Sequence, residues 1–162
     1  MAGVELGGTF GSRVVIDGQA LAQLLRGPDG PVFRQLTKAG DVVKDGAMRR
    51  APVWRPSAGE PDWSIRRRTS ERRPGTLRDS IVKRVVEGGP DGFAILVGSE
   101  DDVALFVHEG TEPHQITPLR APQLVFWWAR IRSTVRADSV FHPGTRPQRF
   151  LTDSLADLRG MF

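Results

Sequence analysis

The segment PVFRQLTKAGDVVKDGAMRR, residues 31–50, carries the main helical pattern of this chain. Its apolar and small residues recur three and four positions apart, so a helix gathers them on one face. They are Phe33, Leu36, Gly40, Val43 and Ala47. Pro31 suits the first position of a helix, where its missing N–H costs nothing. The segment therefore predicts one main helix over residues 31–50, held in place by the packing of its apolar stripe.

Shorter elements are expected on both sides of this helix. Residues 1–30 predict a glycine-rich leader over 1–12, a short strand at 14–16 and a short helix capped by Asp17. Beyond the main helix, β-branched runs alternate with turns rich in glycine, proline and aspartate. The expected elements there are a helical turn at 76–80, a hairpin of strands 81–87 and 93–97, a short helix at 103–109, a strand pair at 124–128 and 135–141, and a final helix at 148–159. A helix over residues 127–131 is the alternative to the first strand of that pair. The sum is an α+β fold, in which a small antiparallel β-sheet packs against one main α-helix, with a short helix and a C-terminal helix, in a single domain over residues 31–162.

Composition excludes several classes of protein. The 162 residues include no cysteine, which excludes disulfide scaffolds, thiolate metal sites and cysteine nucleophiles. No apolar run is long enough to cross a bilayer and no signal peptide opens the chain, so we expect a soluble protein with no membrane partner. The 23 basic and 19 acidic residues are unevenly distributed. Residues 44–84 hold 12 basic and 5 acidic residues, a net of +7, so the rest of the chain carries −3.

The densest part of the basic segment is a group of five arginines over residues 66–73, within a stretch from 52 to 75 that also contains four prolines and two glycines. This composition predicts a long loop, and loops of that length in compact domains tend to be functional or disordered. The candidate interaction residues are Arg66, Arg67, Arg68, Arg72 and Arg73, together with Trp54 and Trp63. Arginines can contact nucleic-acid phosphates. The favoured interpretation is a solvated loop or an arm that orders against an acidic neighbour, because base stacking needs more interleaved aromatic residues.

A possible metal site lies between positions 108 and 114. The ligand types there are His108, Glu109, Glu112 and His114. A helical zinc motif places its histidines one turn apart, whereas these two are six positions apart with glycine and proline between them. No nucleophile turn of the form G-x-S-x-G and no phosphate-binding glycine loop is present. We therefore predict no catalytic, cofactor-binding or metal-ligating residue, and a hydrolase with an unrecognised site remains a third hypothesis.

One element is repeated, because the pattern Gly-Thr-x-Pro occurs twice with an offset of 34 residues. Its members are Gly110, Thr111 and Pro113 in the first copy, and Gly144, Thr145 and Pro147 in the second. Glycine supplies a left-handed backbone position, threonine can cap a following N–H, and proline sets the direction in which the chain leaves. The motifs predict two structural turns, and by themselves they specify no chemistry.

Three segments, in this order, carry a resemblance to a known family: PGTLRDSI (74–81), VALFVHEGTEPH (103–114) and VFHPGTRPQRFL (140–151). Together they resemble the tail-component or neck family of long-tailed bacteriophages, whose members are small structural proteins at the head-to-tail junction. The resemblance covers about residues 31–158. Where the family commonly has Tyr-Ala and Pro-Phe-Leu, this chain has Val103-Ala104 and Arg149-Phe150-Leu151.

The resemblance implies a virion protein of a siphophage that is not an enzyme and needs no cofactor. It implies a homo-oligomeric ring, most simply a hexamer, that joins the tail to the head as a neck, tail-completion or tail-terminator protein. The implied partners are further copies of the chain, the connector or head-closure protein, and the tail tube or tail terminator. Genomic DNA passes through the channel without specific binding, and assembly takes place in the bacterial cytoplasm. The alternative hypothesis is a nucleic-acid-binding protein that acts through the arginine-rich segment.

Overall fold

The computed structural model describes residues 4–7, 13–27, 30–88 and 92–161. Its helices are α1 (Gly18–Arg26), α2 (Pro31–Arg50), α3 (Asp62–Glu71), α4 (Thr76–Asp79), α5 (Val103–Glu109) and α6 (Phe150–Asp153), followed by a 3₁₀ helix (Ser154–Leu158). Its strands are β1 (Val4–Gly7), β2 (Arg13–Ile16), β3 (Ile81–Gly88), β4 (Gly92–Ser99), β5 (His114–Ile116), β6 (Leu124–Trp128), β7 (Ser133–Ala137) and β8 (Val140–His142). The predicted α+β class is confirmed. Within these ranges, no helix is both long and apolar enough to cross a membrane.

The main helix α2 has the bounds predicted for it, with Pro31 in its first turn. Its buried residues are Ala39, Gly40, Val43, Gly46 and Ala47, which are small and allow other elements to approach closely. At Gly40, an added Cβ would lie 2.5 Å from Ile95 Cγ2 on β4. The missing side chain at this position therefore lets the strand pack directly against the helix.

The hairpin of β3 and β4 forms as predicted, with the two strands antiparallel and paired over their full length. It is anchored to α2 at two points. Phe33 meets Phe93 edge to face, with ring centroids 4.7 Å apart. Lys83 Nζ forms an ion pair with Asp41 and donates to the carbonyl oxygen of Thr37 at 3.3 Å. The hairpin and the helix thus form the two layers on which the other elements pack.

The core lies where α2, α4, β3, α5 and α6 meet. Among the described residues, its buried members are Ala47, Ala51, Leu77, Ile81, Ala104 and Phe150. Phe150 and Ile81 are the largest of these side chains, and each is 2 % exposed. Burial of a side chain of this size contributes roughly 1.5 to 3 kcal/mol to the free energy of unfolding. Phe150 therefore ties the C-terminal segment to the centre of the fold.

The final helix is shorter and tighter than the one predicted over 148–159. The N–H of Gln148 donates to the carbonyl oxygen of Val107 at 2.9 Å, which holds Gln148 outside the helix. The helix α6 therefore begins at Phe150. It passes into the 3₁₀ helix at Ser154, whose hydroxyl donates to the carbonyl oxygen of Leu151. The prediction is wrong in its start and in its regular α-helical form, because backbone contacts with α5 and a local side-chain bond both intervene.

Asp157 fastens the 3₁₀ helix to α2. Two hydrogen bonds of 2.7 Å join its carboxylate to the guanidinium of Arg50, and a third of 3.2 Å comes from Arg49. Bidentate pairs of this kind add directional specificity to charge attraction. The hydrogen bonds from Arg50 are the main reason that the pKa of Asp157 is lowered from its ordinary value.

The strands form four two-stranded antiparallel sheets within the described ranges. The strand β6 pairs with β7, whereas β5 pairs with β8. A single strand over 135–141 was predicted, and that prediction is wrong because Asp138 and Ser139 separate β7 from β8. Aspartate and serine favour turns, and the carboxylate of Asp138 accepts a hydrogen bond from Gln123 Nε2 at 3.0 Å.

Part of the predicted leader is a strand. The four residues of β1 pair with β2, so a strand that the sequence did not predict lies within the glycine-rich leader. Residues 1–3 and 8–12 of the predicted leader lie outside the described residues. Four residues of alternation next to glycines are too short a signal to predict a strand. Asp17 caps α1 as predicted, since its Oδ1 accepts from the N–H groups of Gln19 at 2.9 Å and Ala20 at 3.4 Å.

The predicted arginine-rich loop over 52–75 contains the helix α3, so the loop prediction is wrong for residues 62–71. The prolines and glycines that favour a loop all lie outside the helix, with Pro61 just before it and Pro74 beyond its end. Asp62 places a negative charge in the first turn, where it complements the helix dipole. The composition of the whole segment favoured a loop, although the ten residues of α3 contain no proline or glycine.

Candidate assembly site

Helix α3 divides the candidate residues between two faces. Residues three and four apart share one face of a helix. Ser64 and Arg68 lie on the inner face, where Ser64 is 5 % exposed. Trp63, Arg66 and Arg67 lie on the opposite side, which we call the outer face of α3; Trp63 is 41 % exposed and both arginines are exposed. The arginines that are clustered in the sequence therefore lie on two different surfaces of the folded chain.

Glu60 organises the inner face of α3. Its buried carboxylate accepts hydrogen bonds from the Ser64 hydroxyl at 2.6 Å and from the Ser57 N–H and hydroxyl at 3.0 and 3.1 Å. The bond from Ser64 is the main reason that the pKa of Glu60 is lowered from 4.5, although burial acts in the opposite direction. Arg68 Nε lies 3.6 Å from the carboxylate, and its Cζ lies 5.4 Å from the ring centroid of Trp54, a cation–π contact. Arg68 and Trp54 are thus held within their own chain.

Arg72 and Arg73 are also engaged by their own chain. Arg72 forms an ion pair with Asp101, whose side chain is 8 % exposed. Arg73 Nη2 lies 3.1 Å from Asp79 Oδ2. Together with Arg68, they border a groove of about 410 Å³ that is also lined by apolar residues of α4 and α5. Three of the five candidate arginines therefore contribute to the position of α3 in the fold.

The two Gly-Thr-x-Pro motifs lie directly against each other. The N–H of Thr111 donates to the carbonyl oxygen of Thr145 at 3.1 Å, and the reverse bond measures 3.0 Å. The two threonine hydroxyls are also 3.1 Å apart. The same antiparallel register continues into β5 and β8, where His114 lies opposite His142. Two turns predicted separately from the sequence are thus one paired junction.

The glycines make this close approach possible. Gly110 and Gly144 have φ angles of +78° and +83°, in the left-handed region that favours glycine. A Cβ on Gly110 would lie 2.4 Å from the carbonyl oxygen of the opposite threonine and 2.9 Å from the nitrogen of Pro147. A Cβ on Gly144 would lie 2.2 Å from the other threonine carbonyl and 3.1 Å from the nitrogen of Pro113. The contact is therefore reciprocal, with each glycine facing the other motif.

The histidines serve backbone anchoring and packing. His114 and His142 have ring centroids 5.1 Å apart, and Nδ1 of His142 accepts the N–H of Gly144 at 3.1 Å. This bond leaves the proton of a neutral ring on Nε2. His108 is buried and packs edge to face on Phe150, with centroids 5.4 Å apart. In the part of the chain that the structure describes, no three His, Cys, Asp or Glu side chains are grouped to hold a metal ion.

The three segments that carry the family resemblance pack together. Leu77 and Ile81 come from the first segment, Ala104 from the second and Phe150 from the third, and all four belong to the same core cluster. The paired threonines then join the end of the second segment to the third. Residues separated by up to about seventy positions thus build one continuous body.

Sequence reasoning did not identify Glu60, Asp101 or Asp157. The spacing Ser57-x-x-Glu60 is that of a capping box, in which a carboxylate reaches back to an N–H three residues earlier, and it is a signal that points to Glu60. Asp101 and Asp157 bond to arginines 29 and 107 positions away. Local sequence carries no signal for pairs so distant.

Comparisons with known proteins do not place the chain in a family. No family model, curated protein or solved structure matches it. We therefore infer a function for this chain from its residues, from the geometry of the site and from the resemblance of the three segments.

Proposed function

We propose that this chain is a structural protein of the virion of a long-tailed bacteriophage, where it forms a ring at the head-to-tail junction. The ring is a homo-oligomer, a hexamer by the resemblance. It joins the tail to the head as a neck, tail-completion or tail-terminator component and leaves a channel for the genome. Its partners are the connector or head-closure protein on one side and the tail tube or tail terminator on the other. Its activity is assembly in the host cytoplasm, with no chemical turnover.

The observation that carries this proposal is the convergence of the three resembling segments on one core. Phe150 of the third segment packs with Leu77 of the first and Ala104 of the second. The three segments therefore belong to one structural unit, as the motifs of a single family domain would. A framework shared with that family accounts both for their order in the sequence and for their contact.

The exposed surface is compatible with assembly. Several large apolar side chains face outward, among them Leu105 at 65 %, Phe106 at 57 % and Phe141 at 70 % exposure. Exposed apolar patches rimmed by polar residues mark interaction surfaces. In a ring, one patch of each copy meets a different patch of the next copy, so several exposed surfaces are needed on every chain.

Purified phage particles test the proposal directly. Quantitative mass spectrometry should find a small, fixed number of copies of this chain per particle, as a closed ring requires. A particle reconstruction should place its density between head and tail, and a phage that lacks the chain should accumulate separate heads and tails. Absence of the chain from purified particles, or normal joining without it, would contradict the proposal.

A nucleic-acid-binding function is the second candidate. The observation in its favour is the outer face of α3, where Trp63 can offer a stacking surface beside two exposed arginines. It ranks second because Arg68, Arg72 and Arg73 are engaged by groups of their own chain. A full five-arginine contact with phosphates would have to break those interactions.

A further inference from the structure

Two exposed helix faces of this chain carry complementary chemistry. The first is the outer face of α3, with an aromatic anchor at Trp63 and positive charge at Arg66 and Arg67. The second is on α5, and we call it the acidic face of α5. Its members are Asp102, Leu105, Phe106 and Glu109. Both faces combine apolar area with charge, and the sign of the charge is opposite.

The acidic face of α5 points away from the groove that borders α3 in the same chain. Val103 and Val107, one turn apart, line that groove. Leu105 and Phe106 lie on the other side of α5 and are 65 % and 57 % exposed. They line a separate depression of about 580 Å³, whose wall includes the exposed Asp102 and two carboxylates that already pair within the chain, Glu100 with Arg84 and Asp101 with Arg72. The side chain of Glu109 is 58 % exposed at the far end of the helix.

We propose that the outer face of α3 in one copy docks on the acidic face of α5 in a second copy of this chain. Trp63 covers the exposed pair Leu105 and Phe106, and Arg66 meets a carboxylate at one end of α5. Tryptophan and arginine are enriched at the centres of protein interfaces. The proposal rests on the proposed ring, for which it names the contact between neighbouring copies.

A second copy is the favoured occupant for two reasons. The charges are complementary within one sequence, so identical chains supply both halves of the contact. The same chemistry already operates inside the chain, where Arg72 at the end of α3 pairs with Asp101 just before α5. The two faces lie on different elements, so the contact is heterologous: each copy uses one face on each neighbour. Repetition of such a contact closes a ring when the rotation between copies allows it.

Disulfide trapping tests this contact with little background, because the native chain contains no cysteine. One variant carries Arg66→Cys and another carries Glu109→Cys; a second matched pair combines Arg66→Cys with Asp102→Cys. These positions belong to the proposed ion pairs, so Trp63, Leu105 and Phe106 remain in place to dock. The substituted side chains are all exposed, so the fold should persist and can be checked by circular dichroism. The variants are mixed in equal amounts, oxidised, and separated on a non-reducing gel. The control replaces Glu109→Cys with Leu119→Cys, at a side chain that is 97 % exposed between β5 and β6.

The proposal predicts that at least one matched pair gives roughly tenfold more mixed dimer than the control pair, because docking raises the effective concentration of the two thiols. A double variant, Arg66→Cys with Glu109→Cys in one chain, should give a ladder of linked copies. Equal yields of mixed dimer from matched and control pairs would overturn the contact. This result is separable from the proposed function. If the chain enters phage particles but no mixed dimer is trapped, the proposed ring stands and this interface is contradicted. If the mixed dimer is trapped but the chain never enters phage particles, the interface stands and the role at the head-to-tail junction is contradicted.

Discussion

Gly110 and Gly144 are the residues at which a single methyl group should matter most. We expect Gly110→Ala and Gly144→Ala each to lower the free energy of unfolding by roughly 1 to 3 kcal/mol. Each change combines a left-handed φ angle with an overlap between the new Cβ and a backbone carbonyl that cannot swing away. Urea denaturation followed by tryptophan fluorescence measures both effects.

Two other glycines distinguish the effect of backbone strain on the free energy of unfolding from the effect of steric overlap. Gly160 has a φ of +86° but no atom within 4 Å of a built Cβ, so Gly160→Ala reports backbone strain alone. Gly98 also faces open space and serves as the reference without strain. If the loss at Gly110 were no larger than the loss at Gly160, the paired carbonyls would contribute nothing and the reciprocal junction would be contradicted.

Glu60 predicts a dependence of stability on pH. Its pKa is lower in the folded chain than the ordinary 4.5, so its contribution to stability is present above pH 4.5 and is lost as the pH falls through the folded value. Glu60→Gln keeps the size and one acceptor oxygen, and it replaces the charge and the second acceptor oxygen with an NH2 group. We expect the difference in unfolding free energy between native chain and variant to be constant near neutral pH and to shrink below pH 4.5.

Urea titrations of the native chain and Glu60→Gln at a series of pH values measure this difference. The other carboxylates are common to both chains, so their effects cancel in the difference. Two curves that stay parallel from pH 7 to pH 3 would show that Glu60 has no lowered pKa in the folded state.

At the scale of elements, α3 is held by its inner face and by the residues that follow it, and its outer face is exposed. Arg72→Ser leaves the nearly buried carboxylate of Asp101 without its partner, and we expect a loss of roughly 1 kcal/mol. Arg66→Ser, on the outer face, should change stability by no more than about 0.5 kcal/mol. Thermal unfolding monitored by circular dichroism compares the two. Equal losses of stability would show that the ion pair of Arg72 with Asp101 contributes no more than the exposed side chain of Arg66.

The docking of the 3₁₀ helix on α2 is a second element-scale contact. Asp157→Asn removes the charge that Arg50 and Arg49 bind, so we expect faster hydrogen exchange of amides in residues 154–158 while the β3–β4 hairpin is unaffected. Asp153→Asn, in α6, removes a nearby charge but leaves the hydrogen bonds of Asp157 in place, and it serves as the control. Uniform acceleration across the whole chain would mean that the 3₁₀ helix does not open as a separate unit.

At the scale of the whole molecule, binding to duplex DNA distinguishes the two candidate functions. If only the two arginines on the outer face of α3 meet phosphates, the logarithm of the binding constant should fall with the logarithm of salt concentration with a slope of about −2. Contact by all five arginines would give a slope of about −4 or steeper. Fluorescence anisotropy over a salt series measures the slope. Tight binding with the steeper slope would favour the nucleic-acid function over the assembly surface.

The local elements of the fold were largely predictable from sequence. The periodicity of apolar residues predicted α2, the β3–β4 hairpin and α5, since each depends on spacing within a short stretch. The predictions of secondary structure were wrong where residues that favour different structures occur in the same short stretch of sequence. Prolines and glycines around α3 outweighed its ten uninterrupted residues, and Asp138 divided a run of strand formers. The final helix deviated because its first residues bond to another element.

The residue types at the candidate site are evident from the sequence alone: the arginines, the two tryptophans and the repeated Gly-Thr-x-Pro motifs. The way in which those residues are grouped follows from the folded chain. Helical geometry separated Arg66 and Arg67 from Arg68, and chain folding brought Thr111 to Thr145. The physical reason is that periodicity and capping act over a few residues, whereas ion pairs and strand pairing join groups that are adjacent only after the core has closed.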